Sequence, residues 1–271
     1  MNFLKTLSIA VAALPVHASV LAQESSVAAD VGSINITPLV HSRVQIDYNG
    51  LVIQVDPWDI LGLAGALPAD IILISDDVGH HLDTGAIAQL MKADTRIIMP
   101  QSGVVHIPDG TVLNNGEVLE AHGVRIESVA AYDIIPGEPS HLKGDANAYV
   151  VDIGGKRILL AGVTECVAEI RALEDIDIAF MPMNIPLGRM TPAAAAECTR
   201  ALNPDVVYLY HYDQGYAARA TRPDAGMPRL PGDLTVAQTL ELFAAELEGS
   251  NIEFRNAEWY PAMREVEQAT Q

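Results

Sequence analysis

The chain has 271 residues, 49% of them hydrophobic, enough for one large domain with a full core or for two small ones. Its 35 acidic residues outnumber 16 basic ones, giving a formal net charge of −19. A surface that acidic repels nucleic-acid phosphates and anionic lipid, which leaves a small-molecule substrate as the expected partner rather than a nucleic acid or a membrane; the source's overall composition explains the charge equally well.

The first 22 residues read as a secretory signal. Lys5 supplies the positive start, "TLSIAVAALPVHASVLA" the apolar stretch, and Val20-Leu21-Ala22 a small-residue cleavage site. Pro15 and His17 interrupt the stretch, and it is short for a bilayer span, although a retained anchor is the alternative. The expectation is an exported protein, periplasmic or secreted, with residues 23–271 forming one domain.

"SINITPL", "SRVQIDYNG" and "LVIQVDPW" alternate or run apolar around an Asn49-Gly50 turn and read as a β-meander with a hairpin. "ADIILIS" is a continuous apolar run of strand length, and hence a buried strand. Asp83 is placed to cap the following helix, which puts Ile87, Leu90 and Met91 on one face. "TRIIMP", "GVRIESVAAY", "ANAYVVDIGG" and "KRILLAG" follow as strands, then the buried runs "IDIAFMP" and "DVVYLYH". Between those two lies the helix "TPAAAAECTRALNP", with Thr191 as cap and Pro192 in its first turn. Residues 213–233 form a long loop, followed by a helix in "TVAQTLELFAAELEGS" and a strand in "IEFRNAEW". The chain has two cysteines, Cys166 and Cys198, too few for a Cys-rich zinc site. They are expected as buried thiols on helices, with one disulfide as the alternative in an oxidising compartment.

Several strands stop at chemically capable residues: Asp76, Asp77, His80 and His81 after the first buried run, Thr164 and Glu165 after "LLAG", and His211 and Asp213 after "VVYLY". His141 lies in the loop "PSHLKGDANAY". Ligands gathered from successive strand ends onto one edge of a sheet are a common way to build a site.

Order and spacing of these pieces resemble the metallo-β-lactamase fold, in its branch of lactonase-like hydrolases related to ascorbate-phosphate lactonases. The resemblance runs through "TPLVHSRVQIDYNGLVIQVDPW", the strand into the acid and histidine cluster, "HLKGDANAYVVDIGGKRILLAGVTE", "PMNIPLGRMTPAAAAE" and "PDVVYLYHY". It implies an α/β protein, an αββα four-layer sandwich. The family's first motif, His-x-His-x-Asp-His with Asp at its first position in some members, falls on Asp76, Val78, His80 and His81. The third-histidine position falls on His141, the last on His211, and the metal-bridging aspartate of a Gly-Asp-Thr-Glu stretch on Val163.

Valine cannot coordinate a metal, so the resemblance implies a depleted, at most mononuclear, site. The first metal would keep Asp76 and His141 alone. The second would keep His80, His81 and His211, and three imidazoles plus one water is a recognised zinc arrangement that lowers the water's pKa to about 7. The expected activity is hydrolysis of an ester, lactone, amide or phosphoester by activated water. In a metal-free alternative, Asp76 or Asp77 orients a histidine such as His141 as general base, and Lys143 and Arg189 bind an anionic or carbonyl oxygen. A third alternative is a binding protein without turnover. His41 falls where the family often has a histidine near the sheet's first strand; it is read as a satisfied core residue, with an approach to the pocket as the alternative. Asp56 is read as a turn anchor.

Overall fold

The computed structural model describes residues 24–137, 139–183, 189–212 and 236–255. Two seven-stranded sheets carry the chain in sequence order. The first holds β1 (Ser25–Ala28), β2 (Ser33–Val40), β3 (Arg43–Tyr48), β4 (Leu51–Val55), β5 (Ala69–Leu73), β6 (Met91–Met99) and β7 (Thr111–Val112). The second holds β8 (Val118–Ala121), β9 (Val124–Ala131), β10 (Ala146–Ile153), β11 (Lys156–Leu160), β12 (Ile178–Pro182), β13 (Val206–Tyr210) and β14 (Glu253–Phe254). Each sheet begins with three antiparallel pairings and ends with three parallel ones, so the two halves repeat one plan.

Side-chain alternation sorts the layers. Along β5, Ile71 and Leu73 enter the core between the sheets, whereas Ile72 and the following Ile74 face outward onto Ile87 of helix α1 (Thr84–Leu90). Three further helices accompany the second sheet: α2 (Ala168–Arg171), α3 (Pro192–Leu202) and α4 (Val236–Glu246), with α3 lying against α4. This is the four-layer sandwich expected from the sequence. The expected caps form: Asp83 accepts from the Gly85 and Ala86 N–H groups, and Thr191 from that of Ala194. Asn49 and Gly50 both have positive φ, 52° and 82°, as the two-residue turn between β3 and β4 requires.

Two local expectations are corrected. Met91 does not extend the buried helix face; the chain leaves α1 one residue earlier, and Met91 opens β6 with its side chain 45% exposed. Cys166 and Cys198 are not free thiols but a disulfide, and Cys166 sits in the loop after β11 rather than on a helix. The expected signal in residues 1–22, the expected loop at 213–233 with Asp213, and the middle of "PMNIPLGRM" (184–188) lie outside the described residues. No helix among the described residues is long and apolar enough to cross a membrane.

Because β2, β4, β5, β9, β11 and β13 run in concert within their sheets, their C-terminal ends bring His41, Asp56, Ser75–His81, Asp133, Gly162–Glu165 and His211 to the sandwich's edges. The two sheets meet closely there. The Asn147 N–H donates to the Ser75 carbonyl at 2.9 Å. Gly162, with φ 63°, is obligatory at this seam: a Cβ would lie 2.8 Å from the Asn147 carbonyl oxygen.

Candidate metal centre and its charged neighbour

Four histidines converge on one point. His41, His80, His81 and His211 each offer a ring nitrogen, and these atoms lie within 4.8 Å of one another. His41 occupies the two-residue turn between β2 and β3, His80 and His81 the turn after β5, and His211 the residue after β13. The backbone is specialised for this. His41, Asp56 and His211 all take left-handed conformations, with φ of 57°, 43° and 56°, a state non-glycine residues adopt sparingly and which clusters at functional sites. The His211 N–H donates to the His41 carbonyl at 3.0 Å, tying the second sheet to the first.

His81 is held from behind. Its Nδ1 lies 2.7 Å from Asp56 Oδ2 and 3.1 Å from the hydroxyls of both Ser42 and Ser75. Asp56 is fixed in turn by the Ser75 N–H at 2.7 Å and the Ser75 hydroxyl at 2.6 Å. A carboxylate on Nδ1 keeps the proton there and turns the Nε2 lone pair toward the cluster, the arrangement typical of metal-ligating histidine. His81 Nε2 then faces His211 Nε2 at 3.1 Å. Two ligand nitrogens on one tetrahedral zinc stand roughly 3.3 Å apart at ordinary Zn–N lengths. His211 Nδ1 is buried with no hydrogen-bond partner among the described residues.

The electrostatics agree. Burial, followed by the neighbouring imidazoles, pushes His41 and His211 well below the ordinary histidine value. Burial and then His81 lower His80 to about 4. Histidines so placed stay neutral at pH 7 with their lone pairs available, and the donor set fits a divalent ion with a preference for nitrogen.

A second group stands beside the first. Asp76, at the end of the β5 run, lies 3.2 Å from His141 Nε2, and Asp133 Oδ2 lies 3.6 Å from His141 Nδ1. Asp133 also accepts the N–H groups of Ser140 and His141 at 2.6 and 2.9 Å and pairs with Arg189. Glu165 Oε2 accepts the Ile134 and Ile135 N–H groups at 2.7 Å each. Burial works against charge on His141, but the hydrogen bond and charge of Asp76, with Asp133 behind, raise its pKa above the ordinary value. Burial likewise opposes charge on Asp76, and the bond to His141 outweighs it, holding that carboxyl below its usual range. The same holds for Asp133 through His141 and Arg189. The charge of His141 also bears on His80 and His211, so the two groups are neighbours.

The sequence-named residues therefore divide. His80, His81 and His211 fall in the histidine cluster, and Asp76 and His141 in the charged group. The half-buried Asp77 donates its N–H to Asp76 Oδ1. Arg189 is buried against Asp133 and Glu165. Lys143 is 59% exposed, paired with Glu169 and over the Tyr132 ring. Val78 exposes 39% of its surface while its carbonyl accepts the N–H groups of His81 and Leu82; Val163 is buried. Two residues do more than the sequence indicated: His41 joins the cluster, and Asp56, beyond anchoring its turn, orients His81. The Asp-Pro-Trp stretch directly after an apolar strand was the available signal for Asp56.

An αββα sandwich with histidines and aspartates at its strand ends is the metallo-β-lactamase fold. The chain belongs to the family described as the β-lactamase superfamily domain, whose model matches residues 35–211. A candidate metal-dependent hydrolase from Parabacteroides distasonis is 32% identical over 88% of this chain and 99% of its own, with a TM-score of 0.74. Two more distant structures share the fold. Igni18, a metallo hydrolase from Ignicoccus hospitalis, has 19% identity, covers 82% of this chain and 94% of its own, and gives a TM-score of 0.60. CmlA, a diiron β-hydroxylase from Streptomyces venezuelae, has 14% identity, covers 80% and 52%, and gives 0.60. Comparison with curated protein sequences returned no match.

Proposed function

We propose that this is an exported hydrolase that works with one zinc ion at the four-histidine cluster and cleaves an ester, lactone, amide or phosphoester. The convergence of four ring nitrogens within 4.8 Å carries this reading, and the metal-dependent hydrolase named for the Parabacteroides relative supports it. His81 and His211 are the assigned core of the ligand set, completed from His80 and His41. A metal there supplies Lewis-acid charge and a water of lowered pKa.

The protein's own groups do the rest. Asp56 holds the His81 tautomer through Nδ1. Asp76, bonded to Nε2, and the charge of Asp133 near Nδ1 favour the protonated His141 beside the cluster, placing it as the acid toward a leaving group. Valine at 78 and 163 removes two donors where relatives of the resemblance carry ligands, and the Asp76–His141 ion pair satisfies the charges left over. Lactone opening is the branch favoured by the likeness of the motifs. Export is favoured by the leading 22 residues and by the Cys166–Cys198 disulfide, which suits an oxidising compartment.

Metal analysis of protein purified without chelator tests this. About one zinc per chain is expected, lost in His81→Ala and His211→Ala and retained in His141→Ala, which loses turnover. Hydrolysis by metal-free protein, insensitive to chelator, would favour a second reading, in which Asp76 orients the His141 imidazole as general base to water.

A further inference from the structure

Large apolar side chains are left in water along the loops that carry the site. Scattered singly such residues are ordinary, but on the loops that also carry a site they point to what binds there. Leu61, Val78, Ile134, Ile135 and Leu142 are between 39% and 61% exposed. Val78 lies between Asp76 and His80, Ile134 and Ile135 directly follow Asp133, and Leu142 directly follows His141. Leu61 belongs to the loop "WDILGLAGALP", whose Trp58 ring lies 6.0 Å from His41 and 5.9 Å from His80. Asp59 is that loop's one charged residue.

These loops are held, not loose. Arg43, buried at the start of β3, donates to the carbonyls of Trp58 and Gly62 at 3.3 and 3.0 Å and pins the turn that presents Leu61. Glu165 fixes the backbone of Ile134 and Ile135 with a carboxylate oxygen. Keeping apolar side chains in water on rigid backbone is costly unless something covers them, and pre-formed apolar walls with a few polar groups at their base are how substrate pockets are built. Val78 thus has a use beyond a missing donor: where a ligand would point at a metal, it adds apolar surface.

We infer that the site takes a substrate with an apolar arm, an acyl or aryl ester, amide or lactone, whose arm lies on Trp58, Leu61, Val78 and Ile135 while its carbonyl meets the histidine cluster. This rests on the hydrolytic reading above. Water adds to the carbonyl carbon, the acyl–oxygen or acyl–nitrogen bond breaks, and the proton from water ends on the departing alcohol or amine. The net charge of −19 argues against anionic membrane as the occupant.

Two series test the inference. In the first, kcat/KM is measured for p-nitrophenyl esters from acetate to octanoate; a rise of about 10- to 100-fold is expected, less than full burial of six methylenes because the loops are half-exposed. In the second, independent of turnover, thermal stabilisation is measured with alkanols from butanol to octanol and should grow with chain length. The double variant Leu61→Ser/Ile135→Ser should lower the octanoate-to-acetate ratio and flatten the alkanol trend. A variant-sensitive alkanol trend without cleavage of any ester keeps the apolar site and removes the hydrolytic reading. Ester cleavage with no chain-length trend in either series does the reverse and overturns the inference. So does co-sedimentation with phosphatidylcholine vesicles that the variant abolishes, if alkanols show no trend, since the loops would then serve a membrane surface.

Discussion

Two histidine environments share one edge of the sandwich and are built on opposite principles. In the cluster of His41, His80, His81 and His211, imidazoles face one another and are pushed toward neutrality. A few residues away His141 is wedged between Asp76 and Asp133 and pushed toward charge. The same side chain becomes a lone-pair donor in one place and a proton carrier in the other. The difference lies in the neighbours: carboxylates stand beside both ring nitrogens of His141, at 3.2 and 3.6 Å, whereas in the cluster Asp56 bonds the rear of a single ring and imidazoles face one another. A relative with two metals would need both places to be donor sets; here the second place holds an ion pair between Asp76 and His141.

The comparison breaks most severely at Asp76. Asp76→Ala leaves His141 buried beside Asp133 without its principal partner, and removing one member of a buried pair costs about 3–5 kcal/mol; urea unfolding should show it, with metal content unchanged. The disulfide sharpens the contrast next, because Cys166 follows Glu165 on the charged side. Closing a 32-residue separation stabilises by about 3–4 kcal/mol in the chain-entropy account. Cys166→Ser/Cys198→Ser should lose roughly that much while keeping its metal, since neither sulfur belongs to the cluster. Asp56→Asn attacks the cluster alone: replacing the carboxylate behind a ligating histidine weakens metal affinity about 10- to 100-fold, readable by competition with a chelator, with little effect on the His141 group.

Acid should separate the two groups by sign. His41, His80 and His211 have folded-state values below their unfolded ones, so the stability they contribute is present above about pH 6.5 and is lost as pH falls toward 4. His141 is raised, so its contribution is full below about pH 6.5 and is lost as pH rises through its folded value. Asp76 is lowered, and its share disappears only as pH falls below about 3.9. Unfolding of metal-free protein across this range should show His80→Asn flattening the acid limb and His141→Asn flattening the alkaline one. Equal effects of both variants on one limb would dissolve the distinction.

Much of this was legible in the residues. The period-two runs and the Asn49-Gly50 turn located strands because buried alternation and left-handed turns leave strong marks, and motif spacing singled out Asp76, His80, His81, His141 and His211, which the fold brings to one edge. What escaped depends on through-space placement. His41 is 170 residues from His211 and joins it only because both strand ends reach the same edge. The Asp-Pro-Trp stretch marks Asp56 as a turn anchor, but its place behind His81 is set by the fold. Met91 carries the right spacing for the helix face, but pairing of β6 with β5 ends the helix first. The disulfide was ambiguous because only the packing of α3 against the loop after β11 brings the two sulfurs together.

The backbone bonds from Asn147 to Ser75 and from His211 to His41 join the two sheets where the chemistry is placed. Each sheet is also a hydrogen-bonded ladder of its own, so sliding one against the other by a single residue would leave the ladders intact yet scatter the cluster. Amide exchange at Asn147 and His211 should therefore report the integrity of the site itself: a substitution there that loosens the seam will speed their exchange before it melts either ladder, and an ion gripped by His81 and His211 will slow both, acting as a rivet between two plates.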